Sequence, residues 1–280
     1  MKSCIVVILV TYLIFGAVGQ RKRQMRASKK VTSCSALRTK IPSLVSTNQA
    51  LRSQLLKCKQ KLWCPREGPD GVYNITIGPI NASKEIKAPC KSCGWMLIQK
   101  RFDGSTDFNR SWTEYKNGFG DIGGEFFIGL EKLHLITDAK QCELFIAVRG
   151  AKGPGGHARY DNFKVGSEKE AYALKTIGNY SGTAGDALIY HEKMKFTTYD
   201  RHNDFSKGNC AISHNSGWWF KQCSTSSLNA KWYKDGIKLE DGLYGIGWGT
   251  LTKNVPGSSH PIIFCEMMIK PKSCRSADKQ

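Results

Sequence analysis

Eleven cysteines in 280 residues limit what this chain can fold into more than any other feature of the sequence. That number indicates an oxidising compartment, where disulfides form and persist. The N-terminus agrees, because an apolar run over 4–15 is followed by small residues over 16–19. We therefore predict a signal peptide at 1–19 and a secreted, extracellular chain that keeps ten cysteines. An uncleaved anchor is the alternative, but the run is shorter than the roughly 20 residues that span a bilayer, so no membrane insertion is expected.

Positive charge is concentrated just after this segment. Residues 20–63 carry twelve Lys and Arg and no acidic residue, whereas 64–280 carry 29 basic against 23 acidic residues. We predict a basic flexible arm over 20–40, which either binds heparin-like polyanions through its charge density or stays a solvated tail. Nucleic acid is not an expected partner, because the excess charge lies outside the main domain and the protein is secreted.

A heptad stripe follows the arm. Its members alternate in steps of three and four residues, which is typical of a coiled coil; they are Cys34, Leu37, Ile41, Leu44, Asn48, Leu51, Leu55, Cys58 and Leu62. Pro42 must stand at the start of the helix, since proline breaks a helix interior. We predict a coiled-coil stalk over 41–63 that forms a homo-oligomer, with interchain disulfides at Cys34 and Cys58. The alternative is an amphipathic helix packed on its own domain.

From Cys64 onward the pattern changes to short strand-like runs, such as 94–99 and 143–148, separated by glycine turns and aromatic clusters. This pattern predicts a secreted α+β domain. Four N-glycosylation sequons fit a secreted surface; they begin at Asn74, Asn81, Asn109 and Asn179. The sequence contains no G-x-S-x-G, H-E-x-x-H or P-loop motif, so we do not predict an enzyme.

Four runs in this part of the chain read GWMLIQKRFDGS (94–105), GEFFIGL (124–130), YSGTAGDAL (180–188) and GIGW (245–248). They resemble the fibrinogen-related domain, the fold of the fibrinogen C-terminal globes, ficolins, tachylectins and angiopoietins. The resemblance extends over 64–272 and leaves 273–280 as a tail. It implies an α+β fold with five or six mainly antiparallel strands and short flanking helices. A loop-rich lobe is expected to hold the calcium and ligand sites.

The resemblance also implies disulfide pairings. The implied pairs are Cys64–Cys90 and Cys210–Cys223. Cys93 is a rival partner in the first pair, because the segment before the Gly-Trp dipeptide is shortened here. We add a hypothesis of our own, a third bond between Cys142 and Cys265, because both cysteines lie on strand-like runs.

The calcium loop of the family reads D-x-D-x-D-x-x-x-N-C-A, and its counterpart here lies just before Cys210. By resemblance, calcium would be held by the Asp204 carboxylate and by the backbone carbonyls of Ser206 and Gly208. His202 stands where the family has its second ligand Asp. Calcium prefers hard oxygen ligands and imidazole is a poor one, so the resemblance implies a weakened or lost calcium site.

The acetyl-binding pocket of the family lies beside the second disulfide and follows a cis peptide bond, here Gln222–Cys223. The residues implied for this pocket are Gln222, Cys223, Ser224, His214, Trp232, Tyr233 and Trp248. Ser224 replaces a family histidine, so we expect the ligand to differ from the acetyl group.

Two classes of function fit these features. The first is a secreted oligomeric lectin of the innate-immune type, which binds acetylated or other glycans on cell or microbial surfaces and gains avidity from its stalk. The second is a non-enzymatic protein ligand for an extracellular receptor or matrix partner, as in the angiopoietin or fibrinogen-like signalling proteins.

Overall fold

The computed structural model describes residues 42, 45–51, 63–78, 83–151, 155–234, 245–249 and 262–272. The chain divides into two units, 1–52 and 53–280. In the first unit, residues 45–51 are helical, and Val45 and Leu51 are exposed. The signal peptide, the basic arm, most of the stalk, the tail, Cys34, Cys58 and Asn81 lie outside the described residues, so those features stay predictions.

One antiparallel sheet organises the second unit. The strands described in this unit are β1 (Gly71–Ile77), β2 (Lys84–Lys91), β3 (Trp95–Arg101), β4 (Phe119–Gly120), β5 (Phe126–Phe127), β6 (Cys142–Gly150), β7 (Gly156–Val165), β8 (Leu174–Thr176), β9 (Tyr180–Gly182), β10 (Ser226–Ser227), β11 (Gly247–Trp248) and β12 (Ile262–Pro271). β10 and β11 pair only with each other, in a separate two-stranded sheet. The main sheet runs in the order β1-β2-β3-β12-β6-β7-β8, and the short strands β4, β5 and β9 pair at its sides. The mainly antiparallel α+β prediction is confirmed, although the sheet has more than the five or six strands expected.

The last strand lies in the middle of the sheet. β12 pairs with β3 on one side and with β6 on the other. Its side chains at Ile262, Met267 and Ile269 are buried. The runs at 94–99 and 143–148 correspond to its two neighbours, β3 and β6, as their apolar character predicted.

Three short helices flank the sheet: α1 (Trp112–Asn117), α2 (Leu130–Ala139) and α3 (Cys210–His214). α1 begins with a capping box, in which Ser111 and Glu114 each bond the other's backbone N–H. Its buried face includes Tyr115, whose hydroxyl donates to the Phe108 carbonyl (2.7 Å) and accepts from Gly217 N (3.0 Å). α1 is thereby joined to the loop that contains Gly217. In the described residues, no helix has both the length and the apolar character needed to cross a bilayer.

The hypothesis of a Cys142–Cys265 disulfide is wrong. Cys142 lies opposite Pro271 and Cys265 lies opposite Val148, so the two positions are six residues apart along the paired strands β6 and β12. A disulfide requires Cα atoms within about 7 Å, which this register does not allow.

Candidate ligand-binding site

The candidate site lies in the loop-rich part of the domain, around α3 and the segment that precedes it. Asn209 caps α3 by accepting from Ala211 N (2.8 Å), which is the usual role of Asn at this position. A disulfide joins Cys210, the first residue of α3, to Cys223, with 5.5 Å between the Cα atoms. The structure also joins Cys64 to Cys90, which leaves Cys93 exposed and outside that bond.

The first aspartate of the loop serves the fold. The Asp200 carboxylate accepts from Trp112 N (2.9 Å) at the start of α1 and from the Thr198 hydroxyl (2.6 Å). The Arg201 guanidinium lies 3.9 Å from the centre of the Trp112 ring. Asp200 and Arg201 therefore hold the loop against α1 through the backbone and the ring of one tryptophan.

Asp204 is the buried centre of the predicted calcium loop. Its carboxylate has no solvent exposure, and Oδ1 accepts from Ser206 N (3.0 Å) and lies 3.0 Å from His202 Nε2. Its other oxygen, Oδ2, accepts from Cys210 N (3.2 Å). The carboxylate is thus held by groups of the protein itself on both oxygens.

These residues do not match the ligand set that calcium prefers. Calcium takes six to eight oxygen ligands, usually with several carboxylates. Here one carboxylate, that of Asp204, is available, and both of its oxygens already accept hydrogen bonds. In the described part of the chain, no group of three or more His, Cys, Asp or Glu side chains is placed to hold a metal ion.

Ser224 and His214 form a hydrogen-bonded pair beside the second disulfide. Ser224 Oγ lies 2.9 Å from His214 Nε2, while His214 Nδ1 lies 3.0 Å from the Cys210 carbonyl oxygen. The carbonyl can only accept, so Nδ1 carries the proton and Nε2 accepts from the Ser224 hydroxyl. Burial lowers the pKa of His214, although its bond to the Cys210 carbonyl raises it.

The backbone at this point offers two donors. The peptide bond between Gln222 and Cys223 is cis, as its counterpart in the family is. The N–H groups of Cys223 and Ser224 have no acceptor among the described residues. Gln222 is exposed, and its carbonyl lies 3.4 Å from the Tyr190 hydroxyl. This edge can therefore donate to a carbonyl or carboxylate oxygen of a bound group.

The structure brings together only part of the predicted pocket. Trp232 lines a different cavity of about 450 Å³, together with residues 104–109 and Lys231, and none of Gln222, Cys223 and Ser224 lines it. Its indole Nε1 donates to the Ile263 carbonyl (2.8 Å). Trp232 is thus not placed as the expected aromatic wall.

The other two predicted wall residues are also engaged elsewhere. Trp248 is buried, and its indole N–H donates to the Gly185 carbonyl (3.1 Å). The Tyr233 ring has Lys231 Nζ 5.5 Å from its centre. An acetyl methyl requires an open apolar slot. The buried indole of Trp248 does not offer one, and neither does the Tyr233 ring with the Lys231 ammonium group above it.

His191 supports the site as a hydrogen-bonded structural histidine, and the sequence does not indicate its partners. Its Nδ1 donates to the Trp219 carbonyl (2.7 Å), and Nε2 accepts from Thr225 N (3.3 Å) and Ser226 N (3.2 Å). The imidazole thus holds the backbone that follows Ser224. No local motif signals this function, because all three partners are backbone groups distant in sequence.

Three large apolar side chains of the segment 199–212 face solvent, and no pattern in the sequence indicates their exposure. Tyr199, Phe205 and Ile212 are 44%, 70% and 57% exposed. All three lie on 199–212, a segment closed by the contact between Asp204 and Cys210 N. Single exposed apolar residues are ordinary, whereas here three lie within one short segment.

Residues 64–272 match the family model of the fibrinogen beta and gamma chains, C-terminal globular domain. The chain belongs to this family. Human fibroleukin is 40% identical over 216 residues, which are 71% of this chain and 48% of fibroleukin. Mouse angiopoietin-related protein 6 is 38% identical over 177 residues, which are 62% of this chain and 38% of that protein. The chain therefore spans about half or less of the length of these two relatives.

Solved fibrinogen-like domains have the same fold. The fibrinogen-like globe domain of human ANGPTL2 superposes with a TM-score of 0.66 at 32% identity and covers 78% of this chain and 97% of that one. A lamprey fibrin D-dimer complexed with the peptide Gly-His-Arg-Pro-amide gives a TM-score of 0.66 at 26% identity, with 98% and 95% coverage. These relatives are fibrinogen-like and angiopoietin-like proteins, and they indicate no enzyme family.

Three of the four sequons lie on the surface of this fibrinogen-like domain. Asn74, Asn109 and Asn179 are exposed, as an attached glycan requires. Asn74 lies on β1, Asn109 precedes α1, and Asn179 precedes β9. Their glycosylation stays a prediction.

Proposed function

We propose that this protein is a secreted, non-enzymatic ligand that binds an extracellular protein partner through the segment 199–212. The observation that carries this proposal is the exposure of Tyr199, Phe205 and Ile212 on that segment. Exposed aromatic and aliphatic side chains on a well-held backbone are the usual anchors of protein interfaces. The peptide complex of the lamprey relative supports peptide recognition by this fold.

The charge of the segment indicates the kind of partner. Its two acidic side chains, Asp200 and Asp204, accept hydrogen bonds from the protein itself. Its cationic side chains are Arg201 and Lys207, and Lys207 is exposed. An apolar surface beside the exposed Lys207 complements an apolar protein surface that carries an acidic group.

Glycan recognition is the second candidate. It is favoured by the two backbone N–H groups of Cys223 and Ser224, which can hold a carbonyl oxygen. It is weakened by Trp232 and Trp248, which are engaged elsewhere. We therefore place protein recognition first.

Secretion and oligomerisation complete the proposal. Ten cysteines in the mature chain and the apolar run over 4–15 support export. The heptad stripe with Cys34 and Cys58 supports a disulfide-linked homo-oligomer, in which several weak lobes act together. The basic arm over 20–40 supports an additional contact with polyanions.

The test compares binding of the purified full chain to an array of extracellular proteins and to an array of acetylated glycans. We expect a protein signal that 10 mM N-acetylglucosamine does not inhibit. The double variant F205A/I212A should lose at least tenfold in affinity, since interface anchors contribute about 2 kcal/mol or more each. A glycan signal that the sugar inhibits, with no protein signal, would reverse the order of the two candidates.

Val72→Ala is the matched control for this experiment. Val72 is 50% exposed, like the anchors, but it lies on β1 at the edge of the sheet. Its truncation should leave the protein signal unchanged. Equal losses in the control and the double variant would contradict an interface on 199–212.

A further inference from the structure

The structure assigns to His202 the position of a cation in the loop that the family closes with calcium. We infer that this imidazole takes the place of the metal ion, so that the loop closes without calcium. The inference goes beyond the proposed function, because it concerns how the lobe is held rather than what it binds. It depends on the contacts of Asp204.

The Asp204 carboxylate requires compensation because it is fully buried. A buried charge without hydrogen-bond partners is strongly unfavourable. Two backbone donors reach it, Ser206 N on Oδ1 and Cys210 N on Oδ2. The side-chain donor that completes the set is His202, with Nε2 3.0 Å from Oδ1.

The imidazole fits this task by its position. His202 lies two residues before Asp204, and its side chain is 40% exposed whereas the Asp204 carboxylate that it contacts is fully buried. Nε2 donates to Oδ1 in the tautomer that carries its proton there. A calcium ion would need the same oxygen, and His202 would have to move away before the ion could bind.

Further hydrogen bonds hold this loop against the chain on either side of it. Asn203 donates to the Phe196 carbonyl (2.7 Å), and Asn209 donates to the Thr198 carbonyl (2.9 Å). Phe205 N donates to the Lys221 carbonyl (2.8 Å), which fixes the exposed Phe205 side chain at its base. These bonds join the loop to the neighbouring chain at Phe196, Thr198 and Lys221.

The inference predicts what an aspartate at position 202, as in the family pattern, would do. An aspartate at 202 would add a second carboxylate beside Asp204 and the carbonyls of Ser206 and Gly208. Two carboxylates with several carbonyls form a set that calcium accepts. Residue 202 thus decides whether an imidazole or an ion closes the loop.

Calcium titration of the full chain tests this inference, with calorimetry and thermal unfolding as the two readouts. For the native chain we expect no heat of binding up to 5 mM calcium and the same melting temperature with calcium as with EDTA. For H202D we expect calcium binding with a Kd of about 0.1–1 mM, as in extracellular modules. Calcium at 10 mM should then raise the melting temperature of H202D by about 3–10 °C.

K207D is the matched control, since Lys207 is an exposed residue of the same loop. It changes the loop charge at least as much as H202D does, but it places the new carboxylate at a position that has no hydrogen bond or ion pair with Asp204 in the described part of the chain. K207D should bind no calcium, which would separate the effect of position from that of charge. A native chain that binds calcium below 1 mM, or that melts earlier in EDTA, would overturn the inference. Calcium binding by neither H202D nor the native chain would overturn the assignment of residue 202 as the deciding position.

His202→Ala tests the role of the imidazole separately. We expect the variant to remain folded, because the sheet does not involve this loop, but trypsin should cleave after Lys207 at least fivefold faster than in the native chain. An unchanged cleavage rate would show that the loop does not depend on His202, and would contradict the inference.

Discussion

The Arg101 guanidinium and the Glu125 carboxylate form a fully buried ion pair, with Nε and Oε2 3.4 Å apart. The carboxylate also accepts from a row of backbone N–H groups, those of Phe102, Asp103, Gly104 and Thr106. Arg101 in turn donates to the Ala230 carbonyl (2.7 Å). One glutamate therefore fixes the turn after β3, and its arginine joins that turn to the chain near β10.

Glu125→Gln should destabilise the domain strongly. The amide keeps the shape of the side chain but leaves Arg101 as an uncompensated buried charge. We expect a loss of about 3–5 kcal/mol in the free energy of unfolding, measured by chemical denaturation. Asp138→Asn, which breaks the exposed pair with Lys164, is the control and should lose less than about 1 kcal/mol. Equal losses would contradict a special role for the buried pair.

Stability should fall as the solution becomes acidic, and His191 should be one cause. Burial lowers the pKa of His191 to about 4, although its bond to the Trp219 carbonyl raises it. The pKa of an unfolded histidine is about 6.5. Between these values the unfolded chain binds more protons than the folded chain, so stability is lost as the pH falls from about 6.5 to 4.

His191→Gln measures this contribution. The native chain should lose about 3 kcal/mol from His191 across that window, and the variant should have a shallower pH slope by up to one proton. His214, whose pKa burial also lowers, keeps part of the slope in the variant. The variant should already be less stable at pH 7, since a flexible amide does not reproduce the ring geometry with which His191 bonds Trp219, Thr225 and Ser226 together. A native stability that does not change between pH 7 and 4 would refute the prediction.

Cys93 and Cys265 should differ in reactivity. Burial raises the pKa of Cys265 to about 12, although the nearby Arg101 guanidinium lowers it. Its thiol therefore stays protonated and covered, whereas Cys93 is exposed. Iodoacetamide at pH 8 should label Cys93 in the native protein and Cys265 only in denaturant, as read by peptide mass spectrometry. Native-state labelling of Cys265 would contradict the packing of β12.

Removal of the Cys210–Cys223 disulfide should open the lobe before the sheet. The bond closes a loop with a sequence separation of 13 residues, which corresponds to about 3 kcal/mol in the chain-entropy model. Replacement of both cysteines by alanine should reduce stability by about that amount and make 199–212 the first site of proteolysis. Cys93→Ser serves as the control and should have no effect. First cleavage elsewhere would show that the lobe does not depend on this bond.

The sequence predicted the fold more completely than the site. The runs in β3 and β6 had the apolar character of covered strands, and the order of the motifs defined the domain over 64–272. By contrast, the contact between His202 and Asp204 depends on the conformation of an irregular loop. No periodic sequence pattern predicts such a conformation. The predicted aromatic wall does not form for a related reason, because the indole N–H groups of Trp232 and Trp248 donate to backbone carbonyls far away in the sequence. The Cys142–Cys265 hypothesis failed because strand register cannot be derived from two apolar runs.

The place of β12 between β3 and β6 has a consequence for biosynthesis. During translation, β3 and β6 emerge from the ribosome more than a hundred residues before the strand that separates them. Until residues 262–271 follow, both strands have unpaired backbone edges, which are prone to association with other chains. The main sheet is therefore complete only when β12 enters between β3 and β6.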